Sequence, residues 1–158
     1  MLSESEINEI DHEVSKFEFK QGACIDALLI VQQHRGWVSD EALKDIASHL
    51  EMSTAELDSV ATFYNLIYRK PVGKHVIRLC DSVSCYIMGY EKIKQTIQDE
   101  LGISWGQTTS DQKFTLLPAQ CLGTCDHAPA MMIGDALYRD LQSDALVQIL
   151  RKYKGEKQ

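Results

Sequence analysis

The stretch HVIRLCDSVSC, residues 75–85, decides how this chain is read. His75-Val76-Ile77-Arg78-Leu79 has the β-branched, apolar character of a strand, and it ends at Cys80. Cys85 follows five positions on. The pattern recurs once: Phe114-Thr115-Leu116-Leu117 reads as a second strand, and shortly after it comes CLGTC, residues 121–125. Cys80-x4-Cys85 and Cys121-x3-Cys125 are therefore two close pairs, with 35 residues between them, each following a strand. Strand ends in one sheet can lie side by side, so two loops can bring four sulfurs together.

Around these strands the second half of the chain reads as a mixed layer structure. Residues 88–101 have helical spacing, with Tyr90, Ile93, Ile97 and Leu101 near one face and Gly102 as the stop. Ala130-Met131-Met132-Ile133 and Ala136-Leu137-Tyr138 flank Gly134-Asp135, a two-residue hairpin turn. Ser143 is placed to cap a last helix carrying Leu146, Ile149, Leu150 and Tyr153. The order β-α-β-β-β-α fits a small α/β domain with a mixed sheet, of the thioredoxin-like kind.

Before Pro71-Val72-Gly73 the period is helical instead. Ser3 with Glu6 forms a capping box ahead of Ile7, Ile10, Val14 and Phe17. A second helix runs from about Ile25 to Arg35 and stops at Gly36; Ser39 caps a third with Leu43, Ile46, Ala47 and Leu50 on one face. Ser53 with Glu56 opens a fourth carrying Leu57, Val60, Ala61, Tyr64 and Ile67. The expected fold is α+β: a helical bundle over residues 1–72, then the mixed-sheet domain over 73–158.

Charge separates the halves as well. The chain of 158 residues carries a formal net charge of −7. Residues 1–70 hold 13 acidic against 6 basic side chains, and residues 71–158 hold 10 of each. An acidic half with a neutral half lacks the basic surface that nucleic acid requires, and it is expected to be a solvated helical surface. No apolar run approaches a membrane span, and the acidic start MLSESEINEI is unlike a signal or transit peptide. The expectation is an intracellular soluble protein, complete as written and not inserted in a membrane.

Four chemistries compete for the paired cysteines. Structural disulfides do not suit a chain without an export signal, and a catalytic dithiol is weakened by the absence of C-x-x-C. A closed tetrahedral zinc site and a [2Fe–2S] cluster both take four thiolates, and spacing alone gives them comparable weight. Gly89 and Gly123 tilt the balance toward the cluster, because backbone N–H groups must approach its sulfurs closely. His127 is read as a loop residue and Cys24 as a core cysteine; neither is read as a ligand. His12, His34 and His49 are scattered over helices and make no catalytic set. No G-x-G-x-x-G fingerprint and no P-loop occur.

LCDSVSC at 79–85 and GQTTSDQKFTLLPAQCLGTCDHAPAMMI at 106–133 resemble the thioredoxin-like [2Fe–2S] ferredoxin family. The similarity extends through RGWVSDEAL at 35–43 and SVATFYNLIYRKPVGKHVIRLCDS at 59–82. This longer match resembles the members that serve proton-translocating NADH–quinone oxidoreductase, respiratory complex I. Related members serve NAD-linked hydrogenases and formate dehydrogenases.

The resemblance implies that Cys80, Cys85, Cys121 and Cys125 bind one [2Fe–2S] cluster. It implies a partner flavoprotein that holds FMN and NADH, neighbouring peripheral-arm subunits, and a place on the cytoplasmic face of the inner membrane reached through the complex. The chain itself would be an electron-transfer subunit without catalytic residues. Asp81 and Asp126, beside ligand cysteines, would lower the cluster potential or simply cap turns. A zinc-stabilised interaction module is the alternative of a different class.

Overall fold

The computed structural model describes residues 1–155; the last three positions of the expected 73–158 domain lie outside the described residues. The chain divides between Pro71 and Val72 into two compact units.

The first unit is a bundle of four helices: α1 (Glu4–Val14), α2 (Cys24–Arg35), α3 (Asp40–His49) and α4 (Thr54–Phe63). Local signals start three of them. Ser3 and Ser53 each close a reciprocal capping box with Glu6 and Glu56, and the Ser39 hydroxyl accepts from the Ala42 N–H. Gly36, at φ 82°, ends α2 as the sequence indicates. Ile10, Leu28, Val31, Leu43, Ile46, Leu50 and Leu57 form the sealed core.

Two expectations about helix length are corrected. The fourth helix ends at Phe63, so Tyr64 is its cap; Ile67 is buried not by helical period but by a turn in which its N–H donates to Tyr64 O. The first helix ends at Val14, leaving Phe17 outside it and 44% exposed.

The acidic surface also has one exception. Glu6 is only 2% exposed, and it accepts from Arg35 Nε at 2.6 Å and Nη2 at 2.7 Å while still holding the Ser3 N–H. The Arg35 hydrogen bond, working against burial, brings its carboxyl down to about 2. One side chain thus caps α1 and ties it to the end of α2.

In the second unit a four-stranded mixed sheet has the order β2-β1-β3-β4, with β1 (His75–Cys80), β2 (Phe114–Ala119), β3 (Met131–Ile133) and β4 (Ala136–Tyr138). β1 and β2 run parallel, which demands a crossover; a short helix α5 (Val83–Ile87) and a longer α6 (Tyr90–Leu101) supply it. β3 pairs antiparallel with β1 and with β4, whose tight turn begins at Gly134, φ 57°. Pro118 is tolerated because β2 is an edge strand.

The final helix, α7 (Ser143–Lys154), packs on α6. Its cap is Gln142 rather than Ser143, whose hydroxyl instead accepts from Thr96 Oγ1 at 3.2 Å. Ile77, Leu79, Phe114, Leu116, Met131 and Ile133 of the sheet share one core with Ile93, Ile97, Leu146 and Leu150 of these helices. The α+β architecture expected from the sequence, helices first and a mixed sheet after, is the one observed. Gly73 marks the entry to this unit: its N–H donates to Thr115 Oγ1 at 2.6 Å, and a Cβ there would lie 2.8 Å from the Phe114 backbone.

The Glu6–Arg35 pair has a consequence for acid stability. A carboxyl held near 2 in the fold and near 4.5 when unfolded stabilises the folded state fully above about pH 4.5. That stabilisation is lost as pH falls toward 2. Glu6→Gln should cost roughly 2–3 kcal/mol at neutral pH and lose this part of the acid dependence. Urea denaturation at several pH values checks this; parallel curves for the two proteins through that window would sink it.

Candidate metal centre

Parallel pairing places the C-terminal ends of β1 and β2 together. Cys80, the last residue of β1, is in register with Ala119, the last of β2, and the Asp81 N–H donates to Ala119 O at 3.0 Å. Cys121 follows two residues later. On the other side of β1 the Cys80 N–H donates to Ala130 O at 3.1 Å, just before β3. The 121–125 loop is held down by Leu122, packed against the core, and by the buried Thr124 and Ala128.

The cysteines are not all on loops, as the sequence reading has them. Cys80 ends a strand, Cys85 lies in α5, Cys125 opens a single 3-10 turn over Cys125–His127, and Cys121 alone sits in an irregular segment. The four thiols gather as two pairs. Cys80 and Cys85 are each 2% exposed and close enough to perturb each other's ionisation; Cys121 and Cys125 are exposed, with sulfurs 3.2 Å apart. Ser82 links the pairs, its hydroxyl lying 3.4 Å from Cys80 Sγ and also hydrogen-bonding Cys121. Ser84 hydrogen-bonds Cys125.

Backbone N–H groups converge on the sulfurs. Gly123 N–H donates to Cys121 Sγ at 3.3 Å, Ser82 and Leu122 donate to Cys80, and Ala130 donates to Cys85. Each pair consequently has one member biased toward thiolate and one toward thiol. For Cys80, burial works upward, but the Ser82, Leu122 and Cys85 hydrogen bonds outweigh it and lower the group. Burial first, then the bond to Cys80, pushes Cys85 up to about 11. Gly123 N–H and then Cys125 lower Cys121, while the bond to Cys121 raises Cys125.

Among the described residues no three His, Cys, Asp or Glu are arranged around a single ion. The donor set is nonetheless all thiol, surrounded by N–H and hydroxyl donors that favour thiolate sulfur. That chemistry fits a binuclear iron–sulfur group, which takes two thiolates on each iron.

At Gly123 the backbone does approach a sulfur, its N–H donating to Cys121 Sγ; what requires glycine at Gly123 and Gly89 is conformation, not space for a Cβ. Their φ values are 77° and 104°, and a Cβ at either would meet nothing within 4 Å. His127 turns away to Asp140, with Nδ1 2.9 Å from Oδ2. Cys24 begins α2 and packs against the first unit's core. His34 pairs with Glu9 at 2.9 Å and His49 with Asp11 at 2.7 Å.

Sequence reasoning missed Ser82, which reaches toward both pairs, and Ser84, which reaches toward Cys125; the S-x-S-C spacing places both within a turn of Cys85. It also missed α5, which is too short to show a period. This helix and the residue after it expose Val83, Tyr86, Ile87 and Met88 by 61–75%, an apolar surface flanking Cys85.

Comparison with known proteins places the whole chain. Residues 10–154 match the family described as thioredoxin-like [2Fe-2S] ferredoxin. The chain is 48% identical over 153 residues to the E-type subunit of NADH-quinone oxidoreductase from Pseudomonas aeruginosa and 47% identical to that from Escherichia coli (strain K12). Each alignment covers 97% of this chain and 92% of the relative. Among solved structures, a chain of an NAD+-reducing [NiFe]-hydrogenase in the H2-reduced state superposes with TM-score 0.73 at 21% identity, a likeness of fold. That alignment covers 86% of this chain and 23% of the hydrogenase chain. With a match running from the first helix to the last, around two pairs of converging thiols, the chain belongs to the thioredoxin-like [2Fe-2S] ferredoxin family.

Proposed function

We propose that Cys80, Cys85, Cys121 and Cys125 hold one [2Fe–2S] cluster and that the chain is the electron-transfer subunit of an NADH–quinone oxidoreductase. The observation that carries this is the gathering of four thiols, in two pairs, under N–H donors at the C-terminal ends of β1 and β2. When bound, the cluster supplies a one-electron acceptor and donor. Each close pair suits one iron: Cys80 with Cys85, and Cys121 with Cys125. Ser82, Leu122, Gly123 and Ala130 direct hydrogen bonds at thiolate sulfur, and core packing around Cys80 and Cys85 excludes water from one side. The relatives at 47–48% identity, matched almost end to end, favour the respiratory complex over a hydrogenase or formate dehydrogenase.

The partner is a flavoprotein carrying FMN and NADH, and its docking surface is the apolar face of Val83, Tyr86, Ile87 and Met88 beside Cys85. Electron exchange requires the two redox groups to be close, and this surface adjoins the ligands. Residues 73–158 hold the cluster, while residues 1–72 stabilise the subunit and extend its contacts within the peripheral arm. No described helix is long and apolar enough to cross a membrane, so the subunit reaches the cytoplasmic face of the membrane through its neighbours. Hydride chemistry stays on the flavoprotein: this chain offers neither a dinucleotide fingerprint nor a catalytic set.

The purified chain should be reddish-brown, with about two irons per chain. Dithionite should bleach it and NADH alone should not; NADH with the flavoprotein should. A colourless protein containing zinc would establish the scaffold reading instead. Cys121→Ala should lose nearly all the iron, while Cys24→Ala keeps it, as read by iron analysis and visible absorbance. Ile87→Asp should keep its iron and yet bind the flavoprotein at least about tenfold more weakly. Titration calorimetry checks that value, and unchanged affinity would remove the docking surface.

A further inference from the structure

The two cysteine pairs differ in access. Cys80 and Cys85 are sealed at 2% exposure, whereas Cys121 and Cys125 face solvent. The exposed sulfurs are 3.2 Å apart and already share a hydrogen bond. A disulfide requires about 2.05 Å, so they need to close by only about 1 Å. The segment between them contains Gly123, at φ 77° with open space where a Cβ would stand. Its conformation folds the C-x3-C segment back on itself, and the Gly123 N–H donates to Cys121 Sγ at 3.3 Å.

We propose that, before the cluster is loaded, Cys121 and Cys125 form a reversible disulfide that withholds the exposed half of the ligand set. This rests on the ligand assignment above. The oxidant is a small-molecule disulfide such as oxidised glutathione. The Cys121 thiolate attacks one of its sulfurs, forming a mixed disulfide and releasing one thiolate. The Cys125 thiol then gives up its proton and attacks the Cys121 sulfur, displacing the second. In sum, two protein thiols and one small disulfide become one protein disulfide and two small thiols. Two electrons pass to the oxidant, and a dithiol reverses the change. Cys80 and Cys85, shielded by the core, stay reduced. Cluster insertion is thereby tied to reducing conditions through two atoms at the surface.

Trypsin reports the two pairs separately. Cys121 and Cys125 lie on the peptide spanning residues 114–139, and Cys80 and Cys85 on that spanning 79–92. The full-length chain, prepared free of iron, is treated with oxidised glutathione, unfolded, alkylated and digested. The expected result is a 114–139 peptide two hydrogens lighter and unalkylated, beside a 79–92 peptide carrying two alkyl groups.

Cys125→Ser should instead retain glutathione on Cys121. Cadmium uptake, read from thiolate–cadmium absorbance, should fall by about half on oxidation and return with dithiothreitol. Full alkylation of both peptides, a Cys80–Cys85 disulfide, or a cross-link joining the two peptides would each overturn the proposal. The ligand assignment is tested apart from it, by giving the reduced chain iron and sulfide and recording the visible spectrum. Colour without the mapped disulfide defeats only the switch. The disulfide without colour defeats the assignment on which the switch's role in loading depends.

Discussion

The parallel pairing of β1 with β2 is the constraint from which the rest of the second unit follows. It puts Cys80 and Ala119 side by side at the same end of the sheet. Two residues past Ala119 the chain reaches Cys121, and five past Cys80 it reaches Cys85. An antiparallel pair would have sent the two ends in opposite directions and separated the sulfurs by the length of a strand, roughly 17–20 Å. Parallel strands require a crossover, and here the crossover does two jobs. α6 buries Tyr90, Ile93 and Ile97 beneath the sheet, and α5 supplies Cys85 together with an exposed apolar face.

The thiol cluster at that end of the sheet combines a fixed side with an open one. Cys80 and Cys85 are set in the core, so their positions are determined by packing. Cys121 and Cys125 depend on a loop pinned by Leu122, Thr124 and Ala128. The same N–H groups that lower Cys80 and Cys121 would hold thiolate sulfur in a metal centre. Ser82 ties the two sides by reaching a sulfur of each. Burial shields Cys80 and Cys85 from water; exposure leaves Cys121 and Cys125 open to solvent.

The first unit obtains its order from helix starts that are specified locally and from one buried ion pair that is not. The capping boxes at Ser3 and Ser53 need only residues three positions apart. Glu6 needs Arg35, which lies 29 residues away. Since Glu6 also serves the Ser3 cap, local and distant interactions meet on one carboxylate, and the first helix depends on both.

What the sequence determined by itself was whatever short range decides. Capping boxes, glycine stops, apolar β-branched strand runs, the Gly134 turn and the pairing of cysteines by spacing could all be read within a few residues. They were enough for an α+β chain with helices first and a mixed sheet after, and for two close cysteine pairs, each following a strand. The tertiary structure decided what depends on distant neighbours. It ended the fourth helix at Phe63 and buried Ile67 through a turn. It drew Glu6 out of the acidic surface to meet Arg35, and took Ser143 from its capping place to pair with Thr96. It also made one cysteine pair buried and the other exposed, a difference invisible in C-x4-C and C-x3-C. Local backbone preference is written in adjacent side chains, whereas burial is conferred by whatever segment folds back against them.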